Sequence, residues 1–127
     1  MSHTIRNLRE VEDVAPKFGF DAMQEARFPR QELGARDTGL ALHSIKPGVR
    51  GVPHRHQHAE EVYVVLRGHG HVKLDDELVE IGPYDAIRVA PTVARAFAAG
   101  DEGLEILVFG PHHERDGEML ESEGFWS

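Results

Sequence analysis

At 127 residues the chain has material for one hydrophobic core, and dividing it into two would leave each half too small to stand without staples. It holds no cysteine, so disulfide frameworks, thiolate zinc sites and cysteine nucleophiles are excluded, and any bound metal must be held by nitrogen and oxygen. With 14 Lys+Arg scattered among 22 Asp+Glu, a net charge of −8 offers no positive face on which nucleic acid or an anionic membrane could release counterions.

Residues 1–38 are charged and loosely patterned. Short helical turns are expected near 8–14 and 21–27, with Pro16 and Pro29 limiting how far either could run. This segment reads as an N-terminal arm that packs on the rest of the domain or on a partner. Its start, MSHTIRNLREVEDV, lacks the apolar core of a signal peptide, and no apolar stretch approaches the roughly 20 residues of a membrane span. A cytoplasmic protein with no membrane partner is the expectation.

From 39 to 110 the chain consists of short β-rich runs cut by turn residues. LALHSI at 40–45 ends in Lys46-Pro47-Gly48, and VYVVL at 62–66 ends in Arg67-Gly68. HVKL at 71–74 meets LVEI at 78–81 through Asp75-Asp76-Glu77, and Gly82-Pro83-Tyr84-Asp85 leads into AIRVA at 86–90. RAFA at 95–98 closes at Gly100-Asp101-Glu102-Gly103, and LEILVF at 104–109 stops at Gly110-Pro111. Strands at spacings of about 8–12 residues with turn signals between them predict an all-β sandwich or barrel. Residues 111–127 form a polar, acidic tail of the kind that is often partly disordered, yet its Phe125-Trp126 pair suggests docking onto an apolar surface.

Nine histidines are present, and five of them fall between 54 and 71. In a strand, alternate residues share a face, so His54 and His56 can point together into a barrel. Two imidazoles and a carboxylate from the next strand form a 2-His-1-carboxylate set that suits Fe(II), Mn(II), Ni(II) or Zn(II), and Glu61 is the candidate carboxylate. Tyr63 shares the parity of Glu61 and is a candidate cavity wall. His58 continues the alternation, either as a further ligand or, as the turning segment favours, on the solvent side. His69, His71 and Lys73 read as an outer wet face, His112-His113 as an exposed loop, Phe97 as core, and His43 as a satisfied core histidine rather than a cavity wall.

Gly48, His54, His56, Glu61 and Gly68 together resemble the first motif of the cupin superfamily: a Gly, five residues, His-x-His, three or four residues, Glu, six residues, Gly. The resemblance spans roughly 39–110 and implies an antiparallel jelly-roll barrel with a small-molecule cavity at one end. It implies a divalent metal on His54, His56 and Glu61, and dioxygenase or isomerase chemistry. The second cupin motif is matched only in part. Gly82 to Asp85 begins it and Pro91-Thr92-Val93-Ala94 makes its turn, but the position of a fourth, histidine ligand falls on Arg95. A guanidinium stays protonated and cannot ligate a metal. Either Arg95 pairs with Glu61 and competes with the metal, or it turns away and grips an anionic ligand beside it. A metal-free binding or sensing module, and a purely structural barrel, are the alternatives from other classes. Similarity to small cupins, with the arm and the Phe125-Trp126 end as docking surfaces, implies a homodimer.

Overall fold

The computed structural model describes residues 2–127. Its strands are β1 (Gln24–Arg27), β2 (Thr38–Ile45), β3 (His54–His56), β4 (Glu61–Leu74), β5 (Glu77–Ile81), β6 (Ala86–Val89), β7 (Arg95–Pro111) and β8 (Gly117–Met119). All of their pairings are antiparallel. The sheet runs β1-β2-β7-β3-β8, while β4 lies along β7 and carries β5 and β6 on its other side. This curled, all-antiparallel arrangement is the expected jelly-roll barrel.

Two long strands form its spine. The runs at 62–66 and 71–74 are one strand, β4, and those at 95–98 and 104–109 are one strand, β7. The glycines between them make bends rather than the expected reversals. Gly68 and Gly103 both take left-handed backbone (φ +86° and +81°), and a Cβ on Gly68 would lie 2.1 Å from the Gly103 carbonyl oxygen. Register shifts flank Gly68, and the ladder resumes at Gly70 opposite Ala99. Side-chain parity changes across this bend in both strands. Tyr63 and Val65 point inward before it and Val72 after it, while Phe97 and Ala99 give way to Leu104, Ile106 and Val108. A bulge inserted in both partners therefore keeps one apolar face on the core through the bend.

The arm contributes more β structure than expected. Its helical turns are 3-10 segments at Leu8–Glu10 and Ala15–Phe18, followed by a single-turn helix α1 at Arg30–Leu33. Residues 21–27 are not helical. Their second half is β1, which pairs with Leu42 to Ile45 of β2, because an uncapped stretch of this length gains more from a free sheet edge than from an isolated turn. Asp13 locks the arm, accepting from the backbone N–H groups of Ala15 and Ala26. Among the described residues no helix is long and apolar enough to cross a membrane.

The tail is also built in. β8 pairs with β3, and Trp126 Nε1 donates to the Gly51 carbonyl at 3.0 Å. Both aromatics are half-buried, and a cation faces each. The Arg50 guanidinium lies 5.9 Å from the Trp126 ring centre, and Lys73 lies 5.1 Å from that of Phe125 while also donating to the Phe125 carbonyl.

Candidate metal centre and cavity

The short strand β3 turns His54 and His56 to the same side, and β4 begins with Glu61 facing them. His56 Nε2 lies 3.1 Å and His54 Nε2 3.6 Å from Glu61 Oε1. One ligand atom from each of the three residues falls within 4.8 Å of the others. Donors bound to one divalent ion at about 2.0–2.2 Å sit roughly 3–3.5 Å apart, so small side-chain adjustments suffice to close the set. The residues fit such an ion.

Glu61 is held ready as an anion. Burial alone would raise its carboxyl, but hydrogen bonds from His54, His56 and Tyr63 outweigh that and hold it well below the usual carboxylate range. Tyr63 Oη donates to the same Oε1 at 2.5 Å. The Tyr63 hydroxyl is itself pushed well above its ordinary value, first by burial and then by the Glu61 charge, so it stays a donor.

Arg95 stands opposite His54 in the ladder and is 0% exposed. Its guanidinium is largely consumed by backbone. Nη1 donates to the carbonyls of Pro91 and Val93 at 3.0 Å each, Nη2 to that of Ala90 at 3.4 Å, and Nη2 approaches Glu61 Oε1 only to 3.8 Å. The expected pair with Glu61 is present as a long ion pair rather than a hydrogen bond, and Arg95 does not line the cavity to meet a ligand. The turn at 91–94 presents carbonyls inward, and they capture the cation.

The three-residue cluster opens onto a cavity of about 840 Å³. Tyr63 lines it as expected, together with Phe97, which also belongs to the core. His58 does not line it. That residue is exposed, with its backbone N–H bound to Asp116, so a ligand contact is not where the fold places it. His43 is on the wall rather than a satisfied core residue, edge-on to Phe28 at 5.6 Å. Burial, with a smaller push from the His54 charge and an opposing pull from Glu61, presses its imidazole down to about 4. His112 and His113 are exposed as expected but sit at the cavity rim.

Sequence reasoning missed two features of the site. The arm supplies one cavity wall through Phe18, Phe20, Met23 and Phe28, and brings in Arg30. Asp116, from the tail, lies with Oδ2 3.2 Å from His56 Nδ1. The only available signal for the wall was the run of aromatics in the arm, and one more acid in an acidic tail carried none.

Residues 41–110 match the family model of the cupin domain. The chain is also 33% identical over 117 residues to an uncharacterized protein of Methanocaldococcus jannaschii, spanning 88% of this chain and 93% of that one. The protein therefore belongs to the cupin family. Among solved structures it is similar to the polyketide cyclase RemF from Streptomyces resistomycificus, with a TM-score of 0.78 and 20% identity over 96% of this chain and 88% of that one. It is similar too to oxalate decarboxylase from Bacillus subtilis, with a TM-score of 0.74 and 20% identity over 92% of this chain and 33% of that one. At these identities the likeness is one of fold.

Proposed function

We propose that this cupin binds a largely apolar, oxygen-bearing small molecule in its barrel, at a divalent metal held by His54, His56 and Glu61. The observation that carries the reading is the convergence of two imidazoles and an ionised carboxylate on the wall of a cavity otherwise rich in Phe, Ala, Val and Ile. Such burial of polar groups is costly unless they are used. A metal bound there supplies a Lewis acid that polarises a ligand oxygen. The chain's own residues do the rest: Tyr63 fixes the Glu61 carboxylate, and the apolar walls exclude water and orient the ligand body. Isomerase or dioxygenase chemistry is the corresponding class of reaction. Fold alone does not choose between them, because cupin-like barrels host many activities.

The anion-gripping role first considered for Arg95 passes in this reading to Arg30. That side chain lines the cavity, its Nε has no hydrogen-bond partner, and its Nη2 reaches only the Arg36 carbonyl at 3.3 Å. No carboxylate lies within ion-pair distance of it among the described residues, which favours a ligand with an acidic group. A homodimer belongs to the same proposal, supported by the exposed Ile5, Phe18 and Tyr84 (80%, 67% and 83%). A second reading is metal-free ligand binding, with the Arg95 cation 3.8 Å from Glu61 standing in for the metal. Calorimetric titration of Co²⁺ into metal-stripped protein separates the two. Binding that weakens at least about tenfold in Glu61→Gln, or about 1.4 kcal/mol, supports the metal. No Co²⁺ binding by the wild type supports the second reading.

A further inference from the structure

The strand that carries both histidines shares one ladder position with the barrel, and beyond it the His56 N–H donates to the Pro91 carbonyl at 2.8 Å. Only His54 of β3 pairs with β7, opposite Arg95. All three residues of β3 pair instead with β8: His54 with Met119, Arg55 with Glu118 and His56 with Gly117. The tail then follows the chain backward along the metal strand. Leu120 N–H donates to the Pro53 carbonyl at 2.9 Å, and the Trp126 indole donates to that of Gly51.

Asp116, at the head of this segment, is 5% exposed and serves several donors. Oδ1 accepts from the His58 N–H and Oδ2 from the Ala59 N–H, at 2.9 Å each, while its backbone carbonyl accepts from Gln57 at 3.1 Å. Oδ2 also lies 3.2 Å from His56 Nδ1, off the line of an ideal hydrogen bond. An imidazole whose Nδ1–H faces a carboxylate keeps the Nε2 lone pair for a metal, and its ring plane is fixed by the same contact. His56 Nε2 faces the Glu61 carboxylate at 3.1 Å, so without metal Glu61 and Asp116 compete for the single ring proton, and a metal on Nε2 leaves it on Nδ1 with Asp116.

We propose that residues 116–126 are a positioning strap for the metal centre, with Asp116 the positioning residue that aims His56 Nε2 into the cluster and Trp126 the far anchor. The inference rests on the metal reading above. It deepens that reading by placing control of the site in the tail.

The test uses the full chain with Asp116→Asn, Trp126→Ala and, as a comparison that loosens β8 without touching His56, Glu118→Gln. In Co²⁺ titrations Asp116→Asn is expected to weaken binding about 10–100-fold, the usual loss when the partner of a ligating histidine is removed. Trp126→Ala should weaken it about threefold, and Glu118→Gln, which breaks only the exposed pair with Arg55, by less than about twofold. In metal-free protein at about pH 8, ring ¹⁵N shifts should move His56 toward the Nε2–H form in Asp116→Asn alone, a change that mere loosening does not produce. Trp126→Ala should speed amide exchange over residues 51–56. A folded Asp116→Asn protein with wild-type Co²⁺ affinity and unchanged His56 ring shifts overturns the proposal. Should wild type bind no Co²⁺, the metal reading fails, while the strap still stands or falls on the metal-free ring shifts and exchange. Should Asp116→Asn not fold, unaltered exchange over 51–56 in Trp126→Ala overturns it.

Discussion

Two walls meet at the His54–Arg95 ladder position, and they use their polar groups in opposite ways. On the β3 and β4 side, His54, His56, Glu61 and Tyr63 direct nitrogen and oxygen at one another and toward the cavity, with His54 still 29% exposed at its side chain. On the β7 side, Arg95 spends its guanidinium on the carbonyls of Ala90, Pro91 and Val93 and leaves nothing at the surface. The first wall is arranged for a visitor. The second is apolar toward the cavity, through Phe97, Ile106 and Val108, and its one cation contributes to the site only through its charge.

The largest effect should come from the second wall. Arg95→Met removes a fully buried side chain that donates to three part-buried carbonyls, and urea denaturation should show a loss of about 3 kcal/mol, against about 1 kcal/mol or less for the partly exposed His54→Ala. Equal losses for the two would erase the contrast between the walls. Next comes Arg95→His, which removes the cation near Glu61 and offers a neutral nitrogen. Although it costs stability, Co²⁺ affinity should rise at least about tenfold, or about 1.4 kcal/mol. Unchanged affinity would mean that position 95 stays turned to its carbonyls whatever its side chain.

A pH effect should be smaller. His43 drops from an ordinary 6.5 to about 4 on folding, so between these values the unfolded chain binds more protons than the native one. Stability is therefore full above pH 6.5 and falls as pH drops toward 4, with a slope of at most about 1.4 kcal/mol per pH unit. Because the ring lines an open cavity that solvent screens, about 1 kcal/mol in total is expected. Denaturant midpoints at neutral and mildly acidic pH should differ less in His43→Gln than in wild type, and identical dependence in both would place the effect elsewhere. The smallest change concerns the rim. In metal-stripped protein, Arg30→Gln should weaken naphthoate binding about threefold and leave a neutral naphthyl alcohol unaffected. Equal change for both probes would deny Arg30 a charge-reading role.

The pattern of legible and illegible features follows from physical range. Strand periodicity and glycine punctuation act locally, so the barrel and the convergence of His54, His56 and Glu61 could be read from the chain. The same local signals misled at Arg67-Gly68 and Gly100 to Gly103, where glycine permits either a reversal or a bulge and only the partner strand decides. Arg95 was legible as a departure but not in its direction, since carbonyls made inward-facing by the turn carry no sequence signature. Asp116 and the arm's aromatic wall come from the two ends of the chain, far outside the motif, and their closeness to the site is a product of β1 and β8 joining the sheet.

The most direct measurement is metal content by elemental analysis of untagged protein, after exposure to one divalent metal and removal of the excess. Wild type should retain about one ion per chain, and a cooperatively folding His54→Ala, His56→Ala double variant close to none. Equal retention in both would place the metal elsewhere, with His112-His113 at the rim the first place to look, and none in either would leave the cavity a metal-free binding site.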